Sequence, residues 1–146
     1  MDKSLTAEII VVGAGPAGSL AAYQLSRQGF EVLLLDQHTF PRYKPCGGGV
    51  PLRTLREIPF DLKPALEFMA VGGMVSYKGT PWLREELDGE FAWLAMRDRM
   101  DAFLFDQARL AGVKIRVGTR VTRIEEQPEQ IVVFTKNETF SARYLI

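Results

Sequence analysis

A glycine-rich turn between an apolar run and a helix-like stretch constrains this chain more than any other feature. The run EIIVVG (8–13) leads into GAGPAG (13–18), and a second apolar run, EVLLLD (31–36), follows further along. Short, nearly continuous apolar runs are typical of strands that are buried on both faces of a parallel sheet. The pattern therefore predicts a βαβ unit whose turn lies at the carboxyl end of its first strand.

The intervening stretch, PAGSLAAYQLSRQG (16–29), is predicted to form the helix of this unit. Pro16 suits the first turn, where its missing N–H costs no hydrogen bond, and Gly29 suits the position that ends a helix. One side of the helix carries residues at helical spacing, the small ones among them allowing close packing on a sheet: Ala17, Leu20, Ala21, Gln24 and Leu25.

The turn has the G-x-G-x-x-G spacing of dinucleotide-binding sites. Gly13 permits the tight turn, Gly15 lets a pyrophosphate approach the backbone, and Gly18 lets the helix pack against the strand. The helix N-terminus presents N–H groups to the phosphates. Asp36 stands where an acid accepts the ribose hydroxyls, which also disfavours a 2′-phosphate. We therefore predict a site for a nicotinamide or flavin dinucleotide that includes Gly13, Gly15, Pro16, Ala17, Gly18 and Asp36.

The loop that follows the second strand favours the flavin. FPRYKPCGGGV (40–50) holds two prolines, three consecutive glycines and the chain's only cysteine. Together, VVGAGPAGSLAAYQL (11–25), LLLDQ (33–37) and RYKPCGGGV (42–50) resemble the flavoprotein family of geranylgeranyl reductases and their FixC-like relatives, in the larger group that includes p-hydroxybenzoate hydroxylase. The resemblance implies FAD as the cofactor.

The same resemblance implies what the loop does. Cys46, Gly47 and Gly49 would lie along the flavin and its ribityl chain, where glycines let backbone N–H groups reach the cofactor without a Cβ in the way. Arg42 and Lys44 would stand near the phosphates. A plainer interpretation of Cys46 stays open, in which it is a small apolar filler in a surface turn, because free cysteines are commonly inert and buried.

Two further cofactor residues are implied beyond this loop. RDRMDAFLFDQARLAG (97–112) is predicted to be a helix ended by Gly112, and it resembles the family's R-x-x-x-D-x-x-L element, whose arginine, here Arg97, reaches the flavin phosphates or ribityl chain. An ordinary solvated arginine is the alternative. The residue matching Val121 would offer backbone groups to the adenine.

The segment 71–96 does not continue the βαβ pattern. Glycines and prolines break it into short strand-like pieces, which predicts an antiparallel excursion. By resemblance it is the first visit to a substrate-binding sheet, with residues 1–70 and 97–146 forming an incomplete FAD-binding domain. The aromatic residues Trp82, Phe91 and Trp93 would line an apolar pocket or pack in a core, the commoner role. The charged run 84–90 is predicted to be a solvated face.

We therefore expect an α/β fold: a Rossmann-like FAD-binding βαβ domain with the start of an antiparallel substrate-domain sheet. The last part of the chain reads as strands, VKIRV (113–117), TRVTRIEEQ (119–127), QIVVFTK (130–136) and ETFSARYLI (138–146). In similar proteins the strand matching ARYLI (142–146) runs on into a G-A-D-G motif, so the chain looks like the N-terminal portion of a reductase.

The function implied is that of an FAD-dependent oxidoreductase that reduces carbon–carbon double bonds of an isoprenoid chain. Cys46 is the candidate proton donor, and the electrons would come from a donor such as NAD(P)H or ferredoxin. An aromatic hydroxylase or halogenase is the alternative within the group. A non-catalytic dinucleotide-binding fragment is the alternative of another class, and the fragment alone would be inactive.

The composition and charge of the chain limit the kinds of partner that we expect it to bind. Eighteen basic residues balance 18 acidic ones, which gives no electrostatic footprint for nucleic acid. No apolar run approaches the roughly 20 residues of a membrane span, although peripheral membrane contact stays open. His38 is the only histidine and has no ligands at metal-binding spacing, so we expect no metal site. A single cysteine and no leader pattern favour a cytoplasmic location.

Overall fold

The chain contains two compact units. A computed structural model describes residues 6–86, 89 and 91–146, without the side chains of 84–86. The first unit joins the chain up to Arg42 with Asp101–Ile146, and the second unit is Tyr43–Met100. The solvated face predicted for the charged run 84–90 concerns side chains outside the described residues.

Eleven strands and three α-helices are assigned within the described residues. The helices are α1 (Pro16–Arg27), α2 (Leu52–Glu57) and α3 (Arg97–Leu110), and a 3₁₀ helix covers Lys63–Ala65. The strands are β1 (Ala7–Val12), β2 (Val32–Leu35), β3 (Gly49–Pro51), β4 (Phe68–Ala70), β5 (Gly72–Val75), β6 (Leu83–Glu86), β7 (Ala92–Leu94), β8 (Lys114–Arg116), β9 (Val121–Gln127), β10 (Gln130–Thr135) and β11 (Thr139–Leu145).

The first unit is built on a six-stranded sheet in the order β8-β2-β1-β11-β10-β9. Strand β1 pairs in parallel with β2 and β11, and β2 pairs in parallel with β8. The last three strands form an antiparallel meander. Since β1, α1 and β2 follow one another, the predicted βαβ unit is confirmed, and the carboxyl ends of β1, β2 and β8 meet at one edge of the sheet.

Side chains of β1 and β2 alternate between two buried clusters, which is why both strands read as continuous apolar runs. Ile9, Val11, Val32 and Leu34 pack with Ala22 of α1 and Ala108 of α3. Other buried residues of β1 and β2 pack instead with side chains of β10 and β11, in a cluster made of Ala7, Ile10, Leu33, Leu35, Val133, Phe140 and Ala142. The predicted parallel strands buried on both faces are therefore confirmed.

The predicted sheet-facing side of α1 is confirmed only in part, because Leu25 packs against the buried cluster of β1 and β2. The fully buried residues of the helix are Ser19 and Ala22, whereas Ala17 and Gln24 are exposed. The Ser19 hydroxyl donates a hydrogen bond to the Ala14 carbonyl (3.1 Å), so this polar residue is satisfied inside the unit.

The second unit is antiparallel, as predicted for 71–96. Strand β7 pairs with both β3 and β4, and β5 forms a hairpin with β6. Core packing is wrong for two of its aromatic residues, since Trp82 is 67% and Phe91 49% exposed. Taken with the parallel strands in the mixed sheet of the first unit, this arrangement confirms the predicted fold class. Within the described residues, no helix is both long and apolar enough to cross a membrane.

Candidate functional site

The glycine turn after β1 is held by close backbone packing. Gly13 has a φ of +102°, a conformation that favours glycine, and its N–H donates to the Leu35 carbonyl (2.7 Å). A Cβ on Gly18 would lie 1.8 Å from the Gly13 carbonyl oxygen and 3.4 Å from Cγ1 of Val11. The turn therefore requires glycine at 18 so that α1 can lie against β1, which is the packing role predicted from the sequence.

The N-terminus of α1 has backbone N–H groups that can donate hydrogen bonds to a ligand. Gly15 is the N-cap, Pro16 follows it, and no side chain among the described residues caps the helix. The first turn contains no acidic residue. Its backbone N–H groups, together with the partial positive charge of a helix start, fit a pyrophosphate. Ala17 is exposed, and Gly15 and Pro16 are partly exposed, so the predicted phosphate-binding residues are accessible.

Asp36 ties the end of β2 to this turn. Its carboxylate is 7% exposed and accepts hydrogen bonds from the Ala14 N–H (2.7 Å) and the His38 N–H (2.7 Å). The His38 ring nitrogen Nδ1 lies 3.3 Å from the carboxylate. Asp36 thus braces the glycine turn after β1, a role that sequence reasoning missed. The contact to ribose hydroxyls stays a prediction.

Arg42 lies beside the same turn. Its Nη2 is 3.7 Å from the position that a Cβ on Gly15 would take. The guanidinium sits over the Phe40 ring (5.1 Å to the centroid), and that ring stacks on Phe105 (4.7 Å between centroids). Nη2 also lies 3.0 Å from Oδ2 of Asp101, whose side chain is completely buried. Arg42 is therefore positioned next to the predicted phosphate site.

Two donors of Arg42 lack an acceptor. Its Nε and Nη1 are buried and have no hydrogen-bond partner among the described residues. Buried polar groups are nearly always paired, so these atoms indicate a missing acceptor. A phosphate or ribityl oxygen of a dinucleotide supplies the acceptor that a guanidinium prefers. The residues present thus fit the cofactor that the sequence predicts.

Val121 is the first residue of β9 and is partly buried. The loop before it is attached to the end of β2, because the Thr119 N–H donates to the Asp36 carbonyl (2.8 Å). Asp36 in turn donates its N–H to the Arg116 carbonyl at the end of β8 (3.0 Å). Val121 thus follows a loop at the Asp36 edge of the sheet, while its adenine contact stays a prediction.

In the second unit, Gly48 determines the backbone conformation of the glycine loop, which is the run of three glycines at 47–49. It has a φ of +72°, and a Cβ there would lie 2.2 Å from the Ala95 carbonyl oxygen. The Ala95 N–H donates to the Gly48 carbonyl (2.9 Å), and the Gly48 N–H donates to Sγ of Cys46 (3.4 Å). Sequence reasoning chose Gly47 and Gly49, whose Cβ positions have nothing within 4 Å, and missed the constrained glycine between them.

An open cavity of about 310 Å³ brings several predicted residues of the second unit together. Cys46, Gly47 and Arg97 line it with Lys44 and the apolar side chains of Phe68, Leu94 and Met96. Cys46 is exposed, so both the cofactor contact and the role of a filler in a surface turn stay predictions. Arg97 is partly buried. Gly49 lies next to this wall, in β3, where it pairs with Leu94 of β7.

Comparison with known proteins identifies the kind of domain. A family described as "FAD binding domain" matches residues 6–146. A geranylgeranyl diphosphate reductase of Rhodobacter capsulatus is 34% identical over 133 residues, 90% of this chain and 32% of the relative. A tryptophan 2-halogenase of Chondromyces crocatus is 36% identical over 144 residues, 90% of this chain and 26% of the relative. The match confirms the predicted cofactor, FAD.

A solved structure shows the same fold. A geranylgeranyl bacteriochlorophyll reductase-like protein of Thermoplasma acidophilum superposes with a TM-score of 0.78 at 23% identity, covering 96% of this chain and 38% of that one. The chain spans about a third or less of the length of the two curated relatives.

Proposed function

The chain belongs to the family of FAD binding domains, and from this premise we propose that it is the cofactor-binding part of an FAD-dependent oxidoreductase that reduces isoprenoid double bonds. The observation that carries the proposal is the cavity of the second unit, where the exposed Cys46 stands among Phe68, Leu94 and Met96. Such a wall suits an apolar chain, and the thiol is a proton source within it. Sequence similarity to the geranylgeranyl diphosphate reductase supports the same assignment.

The first unit would hold the dinucleotide. The backbone donors at the start of α1 bind the pyrophosphate, and Gly15 leaves room for it. Arg42 adds charge-assisted hydrogen bonds from its unpaired Nε and Nη1. Asp36 keeps the turn in place through the Ala14 N–H and, with the backbone near Val121, meets the adenosine half.

The second unit would hold the flavin end and the substrate. Gly47 and Gly49 present backbone without side chains, and Arg97 meets ribityl or phosphate oxygens. When bound and reduced, FAD supplies a hydride to one alkene carbon. The Cys46 thiol delivers the proton that the other carbon needs, and the apolar side chains of the wall contact the substrate chain.

Flavin-dependent halogenation is the second candidate function. The 36% identity with the tryptophan 2-halogenase favours it as much as the reductase relative favours reduction. An aromatic substrate would also suit a cavity lined by Phe68, Leu94 and Met96. In this case Cys46 contacts the cofactor without transferring a proton.

One experiment separates these functions. The full-length protein is purified with its flavin, reduced anaerobically with dithionite, and mixed with geranylgeranyl diphosphate; reoxidation of the flavin with formation of a more saturated product supports the reductase. A parallel sample receives oxygen, chloride and tryptophan or phloroglucinol. A chlorinated product without alkene reduction supports the halogenase. Retention of no flavin at all contradicts both and favours a non-catalytic fragment. The electron donor and the cytoplasmic location stay predictions.

A further inference from the structure

A completely buried carboxylate lies in the first unit, and no role follows for it from the sequence. Asp101 is 0% exposed, and its Oδ2 lies 3.0 Å from Nη2 of Arg42, which is itself 13% exposed. A buried charge is costly unless it is paired, so this ion pair is a defined element of the unit rather than a surface contact.

The position of the pair in the chain is informative. Arg42 and Asp101 are the residues at which the chain leaves the first unit and returns to it. Their ion pair therefore holds together the two positions at which the chain leaves and re-enters the first unit. It also fixes the guanidinium plane, which the Phe40 ring supports from one side. Arginine stems are flexible, and an arginine held in one orientation loses less entropy when it binds an anion.

The nitrogen atoms of Arg42 that do not contact Asp101 indicate why the guanidinium is held in one orientation. Nη2 faces Asp101 and the Gly15 turn, while Nε and Nη1 are buried without an acceptor among the described residues. We propose that Asp101 is a positioning residue for the cofactor: it orients Arg42 so that the unpaired donors meet a phosphate oxygen of FAD. This inference rests on the proposed function, because it assumes that the dinucleotide lies at the turn.

The test uses FAD affinity. The flavin is removed from the full chain, and FAD is titrated into wild type, Asp101→Asn, Arg42→Gln and the double variant by calorimetry. Asp101→Asn is expected to raise the Kd about 10- to 100-fold, the size expected for one hydrogen bond to a charged group. Asp106→Asn is the matched control, since Asp106 lies on the same helix but is 51% exposed and pairs with Arg109. Its Kd should equal that of wild type.

A thermodynamic cycle separates positioning from a general structural role. If Asp101 acts through Arg42, Asp101→Asn has no further effect on the Kd in the Arg42→Gln background. A structural role would weaken binding by the same factor in both backgrounds. Where Asp101→Asn alone yields no folded protein, because it leaves a buried arginine unpaired, Arg42→Gln is compared with the double variant: equal Kd values support the inference and a further loss contradicts it.

The outcomes also separate this inference from the proposed function. Wild type that binds no FAD would overturn both. Wild type that binds FAD, with Asp101→Asn binding equally well, would overturn the positioning role of Asp101 alone. The thermal midpoints of the flavin-free variants, measured in parallel, give the loss of stability, which is compared with the loss of affinity.

Discussion

Replacing Gly48 with alanine is expected to open the glycine loop of the second unit. The new Cβ would lie 2.2 Å from the Ala95 carbonyl oxygen, and the residue would have to keep a φ of +72°. Backbone atoms cannot move aside as a flexible side chain can. The loop must therefore separate from Ala95 and lose the hydrogen bond from its N–H to the Gly48 carbonyl.

The magnitude follows from these two effects. A left-handed conformation costs a non-glycine residue about 1–2 kcal/mol. The lost hydrogen bond adds about 0.5–1.5 kcal/mol. The local opening of this loop should then be easier by about 1.5–3.5 kcal/mol, which corresponds to a population of the open form about 10- to 400-fold larger.

Hydrogen exchange at the Ala95 amide measures this opening directly. In Gly48→Ala the amide should exchange about 10- to 400-fold faster than in wild type. Gly47→Ala is the matched control, because its Cβ would meet nothing within 4 Å and its φ is not positive. Equal exchange rates at Ala95 in the two variants would show that the clash at Gly48 does not determine the loop conformation.

Three further variants test the glycine turn after β1 and the Cys46 thiol. Gly18→Ala forces a Cβ to within 1.8 Å of the Gly13 carbonyl oxygen, so urea denaturation should show about 1–3 kcal/mol less stability; an unchanged midpoint would contradict the packing role. Gly15→Val should keep the fold, because its Cβ makes an ordinary 3.7 Å contact with Arg42, yet abolish FAD binding in calorimetry. In the full-length protein, Cys46→Ser should retain flavin and its reduction by the electron donor, while single-turnover alkene reduction slows about 10²- to 10⁴-fold. Equal alkene reduction in wild type and Cys46→Ser would exclude the thiol as proton donor.

Much of the first unit could be predicted because its signals are local. The start of α1 at Pro16, the positive φ of Gly29 after it and the fully buried β2 each follow from residues within a few positions of one another. The G-x-G-x-x-G spacing likewise needs one strand, one turn and one helix. The sequence by itself therefore determined the βαβ unit and the place of the glycine turn in it.

The tertiary structure decided which residues support that turn. Asp36 accepts a hydrogen bond from the Ala14 N–H, 22 positions away in the sequence. Arg42 pairs with Asp101, although all residues of the second unit stand between them in the sequence. The acid in the R-x-x-x-D-x-x-L element was visible in the sequence, yet its partner was not. Pairing between distant residues depends on how the strands and helices pack, and no local pattern records it.

In the glycine loop, too, the sequence predicts the general feature, and the tertiary structure decides which residue carries it. Three consecutive glycines predict a flexible or closely packed backbone without saying which of them is required. Gly48 became the constrained one because Ala95, far along the chain, lies against it, while Gly47 and Gly49 face open space. Composition allowed a close approach of the backbone in this loop, and the fold of the second unit determined that it occurs at Gly48.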